Sequence, residues 1–237
     1  MKKEMRIEFQ IIGILIILII GGKLILWPLL GDVHFRKGLK AVSVSEYEKA
    51  ETEFKVALNY KKECAYYENI AELYRIMGET ARDRDAGRKH YEQSVYFYRK
   101  LVQMKPDFAL AYNGLGAVCL YIGRDFKDEE FYRSAILNFQ KAIELEPKFA
   151  DAYINLATAY YLWGMKDKAI KSYGEALKNN PASVPIIFNM GMLYFLEKNY
   201  KKAKEQWKMV LEIDPQNLDA LKGLGMIEKK NGGKKDE

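Results

Sequence analysis

Pro147, Pro181 and Pro215 recur at one constant interval, each closing an apolar-rich run that ends ELEP, KNNP or EIDP. This fixed interval constrains the fold more than any other feature of the chain. One supersecondary unit is repeated, no unit buries its own apolar face, and neighbours must stack to make a continuous core. Between positions 186 and 215 the unit reads IIFNMGMLYFLEKNYKKAKEQWKMVLEIDP. Ile187, Met190, Gly191 and Tyr194 are spaced i, i+3, i+4, i+7 and so share one face of a helix. Ala203, Trp207 and Val210 place the same stripe on a second helix. Small residues at Gly191 and Ala203 let two antiparallel helices approach closely, aromatics fill the remaining space, and the proline stops the second helix. The preceding unit, 152–181, repeats the pattern with Ala157 and Ala169 as the small residues and Trp163-Gly164-Met165 as the turn.

The two units resemble the tetratricopeptide repeat (TPR) family. The family's eight signature positions are Tyr153, Leu156, Ala157, Tyr160, Ala169, Tyr173, Ala176 and Pro181 in one unit, and Ile187, Met190, Gly191, Tyr194, Ala203, Trp207, Val210 and Pro215 in the next. The resemblance implies an all-α fold, a right-handed α-solenoid of helix-turn-helix repeats. Towards the N-terminus the interval from Pro106 to Pro147 is longer than the two that follow. Tyr112, Leu115 and Gly116 match a first helix and Ala135, Phe139 and Ala142 a second, which puts the surplus at 123–130. One unit earlier, Tyr67, Ile70, Ala71 and Tyr74 pair with Ser94, Tyr98 and Leu101, with a larger surplus at 78–90. The first unit has Ala50, Phe54 and Ala57 in place, but its first helix offers His34, Lys37 and Gly38, with Lys37 where an apolar residue is usual.

Five repeats are therefore expected, at 31–63, 64–108 with an insertion at 78–90, 109–149 with an insertion at 123–130, 150–183 and 184–217. A sixth half-unit at 218–230 reads as a capping helix, with Leu221, Leu224 and Gly225 on one inward face and lysines outward. The stretch 231–237 reads as a disordered tail. The two charged insertions fall at equivalent helix turns, and should project from one edge as neutral elaborations or as a second docking surface.

Ahead of the repeats, 1–8 form a short basic N-terminus. The stretch from Phe9 to Leu30 carries Lys23 as its one charge. About 20 apolar residues are needed to cross a hydrocarbon core of roughly 30 Å, so a transmembrane helix is expected over 9–30. Trp27 sits where an interfacial aromatic belongs. A cleaved signal peptide is the competing reading, but the first alanine of the chain is Ala41 and no small-x-small site follows the run. Lys2, Lys3 and Arg6 precede the span, while Arg36, Lys37 and Lys40 follow it. The basic N-terminus favours a single-pass protein with its N-terminus inside and its repeats on the extracytoplasmic side.

Catalytic signatures are missing from the sequence. Gly114 and Gly116 lie within a helical pattern, and no HExxH, CxxC or G-x-S-x-G occurs. His34 sits at a packing position, His90 reads as a solvated surface group, and Cys119 reads as a small buried hydrophobe, while Cys64 falls at a repeat boundary. Two histidines and two cysteines offer no metal or cofactor site, and no enzyme is expected. The net charge of +6 comes from 38 basic and 32 acidic residues mixed along the chain, which gives no basic block for nucleic acid.

The TPR resemblance implies a concave groove lined by the first helix of each pair. Its positions here include Glu68, Asn69, Glu72 and Arg75; Asn113, Ala117, Leu120 and Tyr121; Ile154, Asn155, Thr158 and Tyr161; and Phe188, Asn189, Met192 and Phe195. Asn69, Asn155 and Asn189 recur at one repeat position, and a ladder of Asn can grip the backbone of an extended peptide or bond its own neighbours. Apolar groups from Leu120 to Phe195 offer anchoring pockets. The groove lacks the Lys and Arg run that chaperone-binding TPR domains use to clamp a carboxylate. The resulting expectation is a membrane-anchored scaffold that binds a protein partner during assembly of a membrane or envelope complex, an architecture that resembles bacterial single-span TPR proteins. The alternative is a permanent accessory subunit of a larger membrane complex. Homo-oligomerisation stays open.

Overall fold

The computed structural model describes residues 21–22 and 26–232. Among them lie eleven α-helices and no strand. They are α1 (Trp27–Ser43), α2 (Tyr47–Tyr60), α3 (Cys64–Thr80), α4 (Arg84–Met104), α5 (Ala109–Phe126), α6 (Glu129–Leu145), α7 (Ala150–Leu162), α8 (Lys166–Asn179), α9 (Val184–Leu196), α10 (Tyr200–Ile213) and α11 (Leu218–Gly232). The chain divides into two compact units, Met1–Pro106 with α1–α4 and Asp107–Glu237 with α5–α11.

Local chemistry fixes the helix ends. Asp83, Asp128 and Asn199 accept backbone N–H bonds from Ala86, Glu130 and Lys202, and so cap α4, α6 and α10. Pro106, Pro147, Pro181 and Pro215 each stand two residues past a helix end. Gly164 in the α7–α8 turn has φ +82°, and Lys198, at the same place one repeat later, has φ +59°.

In the first unit α1 packs on α2, α3 on α4, and α2 on α3. In the second, α5 pairs with α6, α7 with α8 and α9 with α10, while α5, α7 and α9 follow one another and α11 closes on α10. The seam of a pair is an aromatic ring seated over a glycine. A Cβ built on Gly38 would lie 2.5 Å from the Phe54 ring, on Gly116 2.7 Å from Phe139, and on Gly191 2.5 Å from Trp207 Nε1. These contacts exist only because glycine has no side chain there. All three aromatics are fully buried, and truncating such a side chain costs about 3–5 kcal/mol. In the second unit the last two pairs are closed by the helix that follows: Ile186 and Leu193 of α9 complete the core of α7 and α8, and Ala220 and Ile227 of α11 complete that of α9 and α10.

Three expectations change. Among the described residues no helix is long and apolar enough to cross a membrane. This overturns the expected single-pass localisation with extracytoplasmic repeats. Most of the 9–30 segment lies outside the described residues, and its expected end, Trp27 to Leu30, is the first turn of a repeat helix. There the Trp27 ring meets Tyr60 edge-on at 5.9 Å, and Gly31 seats against Tyr60 and Lys61 at the end of α2.

The insertions are helical turns. α3 and α4 run to 17 and 21 residues against 13 and 14 for α7 and α8, so the 78–90 segment lengthens both helices and leaves only Ala81–Asp83 as a connection. Gly78 takes the Tyr91 ring as Gly116 takes Phe139, which carries the seam further along the pair. His90 lies half-buried against Tyr74, with ring centroids 6.1 Å apart, and is not a freely solvated group. Likewise 123–130 extend α5 and α6, with only Lys127 and Asp128 between them.

The cap is turned. α11 buries Ala220, Gly223 and Ile227, not the face carrying Leu221 and Gly225.

Candidate functional site

An open groove of about 370 Å³ lies between α7 and α9. Ala157, Thr158, Tyr161 and Leu162 form one wall, and Phe188, Asn189, Met192, Leu193 and Leu196 the other, with Tyr173 of α8 beneath. The volume falls in the range of about 300–1,000 Å³ typical of ligand sites. Its two rim leucines, Leu162 and Leu196, end their helices one repeat apart and stay 40% and 53% exposed. No lining side chain is charged. Burial pushes the Tyr173 hydroxyl up to about 12, partly offset by its bond with Thr158, so it remains a neutral phenol at physiological pH.

The polar atoms on this wall point one way. Asn189 Nδ2 donates to the Pro185 carbonyl of its own helix at 2.8 Å, and Thr158 Oγ1 to the Ile154 carbonyl at 2.8 Å. Asn189 Oδ1 takes no hydrogen bond among the described residues. One step earlier, Asn155 Nδ2 donates to Asn113 Oδ1 at 3.0 Å and links α7 to α5. Asn155 and Asn189 thus each spend one amide hydrogen within the unit, and the Asn189 carbonyl oxygen faces the groove as an acceptor.

Of the expected groove residues, Thr158, Tyr161, Asn189 and Met192 meet in this one groove. Asn113 and Asn155 pair with each other beside it. Tyr121 instead carries the Arg124 guanidinium over its ring at 4.9 Å. Phe195 faces the other way: it packs on Tyr200 and Trp207 and borders a separate depression with Met226, Lys229 and Lys230. Leu162, Leu193 and Leu196 were not singled out by the sequence, although Leu162 and Leu196 stand at the same repeat position, which was the signal available.

In the first unit the equivalent stripe is occupied by its own chemistry. Asn69 Nδ2 donates to the Ala65 carbonyl at 2.8 Å. Arg75 holds Glu72 at 2.5 Å and Glu79 at 2.7 Å, and Tyr98 reaches Glu72 at 3.4 Å. Burial, and then the charge of Glu72, holds the Glu68 carboxyl above the usual range. Among the described residues no group of three or more His, Cys, Asp or Glu is placed to hold a metal ion.

Family models for the tetratricopeptide repeat match residues 150–183 and 184–217, and a TPR repeat model matches 123–164. Tetratricopeptide repeat protein 6 of Homo sapiens is 28% identical over 116 residues, 49% of this chain and 21% of that protein. The chain spans no more than 21% of the length of the curated relatives it matches. In solved structures, the thermophilic TPR protein TTC0263 of Thermus thermophilus has a TM-score of 0.61 at 20% identity, covering 83% of this chain and 98% of that one. YrrB, described as a TPR protein with an unusual peptide-binding site, has a TM-score of 0.51 at 20% identity, covering 79% and 88%. These likenesses establish the all-α TPR fold, and residues 123–217 of the chain are tetratricopeptide repeats.

Proposed function

We propose that the protein is a non-enzymatic adaptor that binds an uncharged, apolar stretch of a partner protein in the groove between α7 and α9. The observation that carries this reading is a cleft rimmed by exposed leucines and free of charged side chains. Apolar side chains of the partner would fill it, and a partner backbone N–H would bond Asn189 Oδ1. YrrB, described by its peptide-binding site, supports a peptide segment as the ligand. Selection from a random peptide library tests it. Enriched peptides should be apolar and uncharged, and Met192→Glu should weaken them by more than about tenfold while the far-ultraviolet circular dichroism stays helical. Enrichment of charged peptides, or binding indifferent to Met192→Glu, would refute the reading.

A second reading, a constitutive subunit, is favoured by α1. Leu26, Leu29 and Val33 at its start are exposed on one face, an apolar surface of the kind permanent interfaces cover. Co-purification in fixed stoichiometry through a high-salt wash would select it over transient recruitment.

A further inference from the structure

We propose that the α7–α9 groove takes residues 11–20 of a second copy of this chain, so that the protein assembles from copy to copy and an outside partner competes with the chain itself. The inference rests on the reading of that groove as a site for an uncharged, apolar stretch, and it names one such stretch. Residues 11–20 read IIGILIILII, and no charge falls between Glu8 and Lys23. The groove has the matching chemistry. No charged side chain lines it, Leu162, Met192, Leu193 and Leu196 supply aliphatic walls, and Asn189 Oδ1 is an acceptor for a backbone N–H. A charged ligand would be stripped of water there with nothing to pair it, whereas branched aliphatic side chains gain from leaving water.

The rest of the sequence singles out this run. The other long uncharged runs are 108–123, 152–165 and 179–196, and they are spent on α5, α7 and α9, the last two of which build the groove itself. Only residues 21–26 join the run to α1, a tether of about 20 Å at full extension against about 25 Å for α1 alone, which favours the groove of another copy. Run and groove are different surfaces, so the contact is heterologous: each copy gives one run and takes another, and copies add head to tail or close into a ring.

The test puts a photo-reactive benzophenone side chain in place of Ile16 in the full 237-residue chain, mixes it without detergent with an isotope-labelled unaltered copy, and maps cross-links by mass spectrometry. They should fall within 157–162 and 188–196 of the labelled copy, and light scattering should show a mass that rises with concentration. Met192→Glu in the groove and Ile16→Glu in the run should each weaken assembly at least about tenfold while the far-ultraviolet circular dichroism stays helical. Ile16→Glu should also tighten the apparent binding of apolar library peptides, since it removes their competitor. Library peptides lost with Met192→Glu, together with cross-links outside the groove or a mass independent of concentration, would overturn this inference and leave the groove's function standing. Cross-links confined to one copy would overturn it in favour of a chain that covers its own groove. If Met192→Glu changed neither peptide binding nor assembly, both readings would fall.

Discussion

Position 191 has room for a hydrogen atom and nothing larger. A methyl group there would lie 2.5 Å from the Trp207 indole nitrogen, whose N–H donates to the Phe188 carbonyl at 3.3 Å. The ring is fully buried and held on several sides, so it cannot swing away. Gly191→Ala should therefore cost about 1–3 kcal/mol, the cost of overpacking, despite alanine's better helix propensity. Gly225→Ala, with open space around it, should instead gain about 0.5–1 kcal/mol. Chemical denaturation of both variants checks the pair, and equal effects would sink the packing explanation. Glu68 makes a second test at this scale. Burial and the neighbouring Glu72 raise its carboxyl above the unfolded value of about 4.3, so the folded chain opposes its ionisation. The resulting cost is absent below the unfolded value and develops as pH rises through the raised one. Glu68→Gln should thus raise the melting temperature modestly at pH 7 and leave it unchanged near pH 3. A loss of stability at both pH values would refute this.

At the scale of elements, the period was the most legible feature because an aromatic over a glycine or alanine needs those residue types at that spacing. Spacing alone put Gly116, Phe139, Gly191 and Trp207 on packing faces, and the structure pairs Gly116 with Phe139 and Gly191 with Trp207. Of the expected inward face of α11, Leu224 packs on the core, while Leu221 and Gly225, which match signature positions turned to the second helix of a pair, do not. Its buried side is carried by Ala220, Gly223 and Ile227, positions where small or aliphatic residues give a weak pattern. The 78–90 segment read as a projecting insertion because it is charged, yet Gly87 and Tyr91 have the small-x-x-x-aromatic spacing of Ala203 and Trp207, and Gly78 takes the Tyr91 ring. Apolar length alone could not separate Trp27–Leu30 from a membrane span, since only the Trp27–Tyr60 and Gly31–Tyr60 contacts show that this turn belongs to a repeat. Half of the binding wall was equally hidden. An asparagine's residue type says that it can donate and accept, but only its neighbours show that Asn69 and Asn189 each spend one amide hydrogen on their own helix.

Within each compact unit, contacts run from each helix to the next, and stability in such an array is a sum of local and nearest-neighbour contributions. Trp207 is the strongest test of this. It lies 0% exposed between Gly191 of α9 and Gly223 of α11, with the Phe188 and Phe195 rings at 6.1 and 5.7 Å. Trp207→Ala should remove about 3–5 kcal/mol, more than most single positions can. The loss should fall on α9, α10 and α11, whose shared core is built around that ring. It should reach α8 more weakly, through Ile170 and Leu177, and spare α1–α4, which belong to the other compact unit. Hydrogen exchange read peptide by peptide distinguishes the outcomes. Protection lost at 184–232 and kept at 27–104 would mean that the array opens from its C-terminal end, with the α7–α9 groove losing one wall while the first unit stays folded. Protection lost evenly along the chain would mean that the units fold as one cooperative body, and the nearest-neighbour account would have to be abandoned.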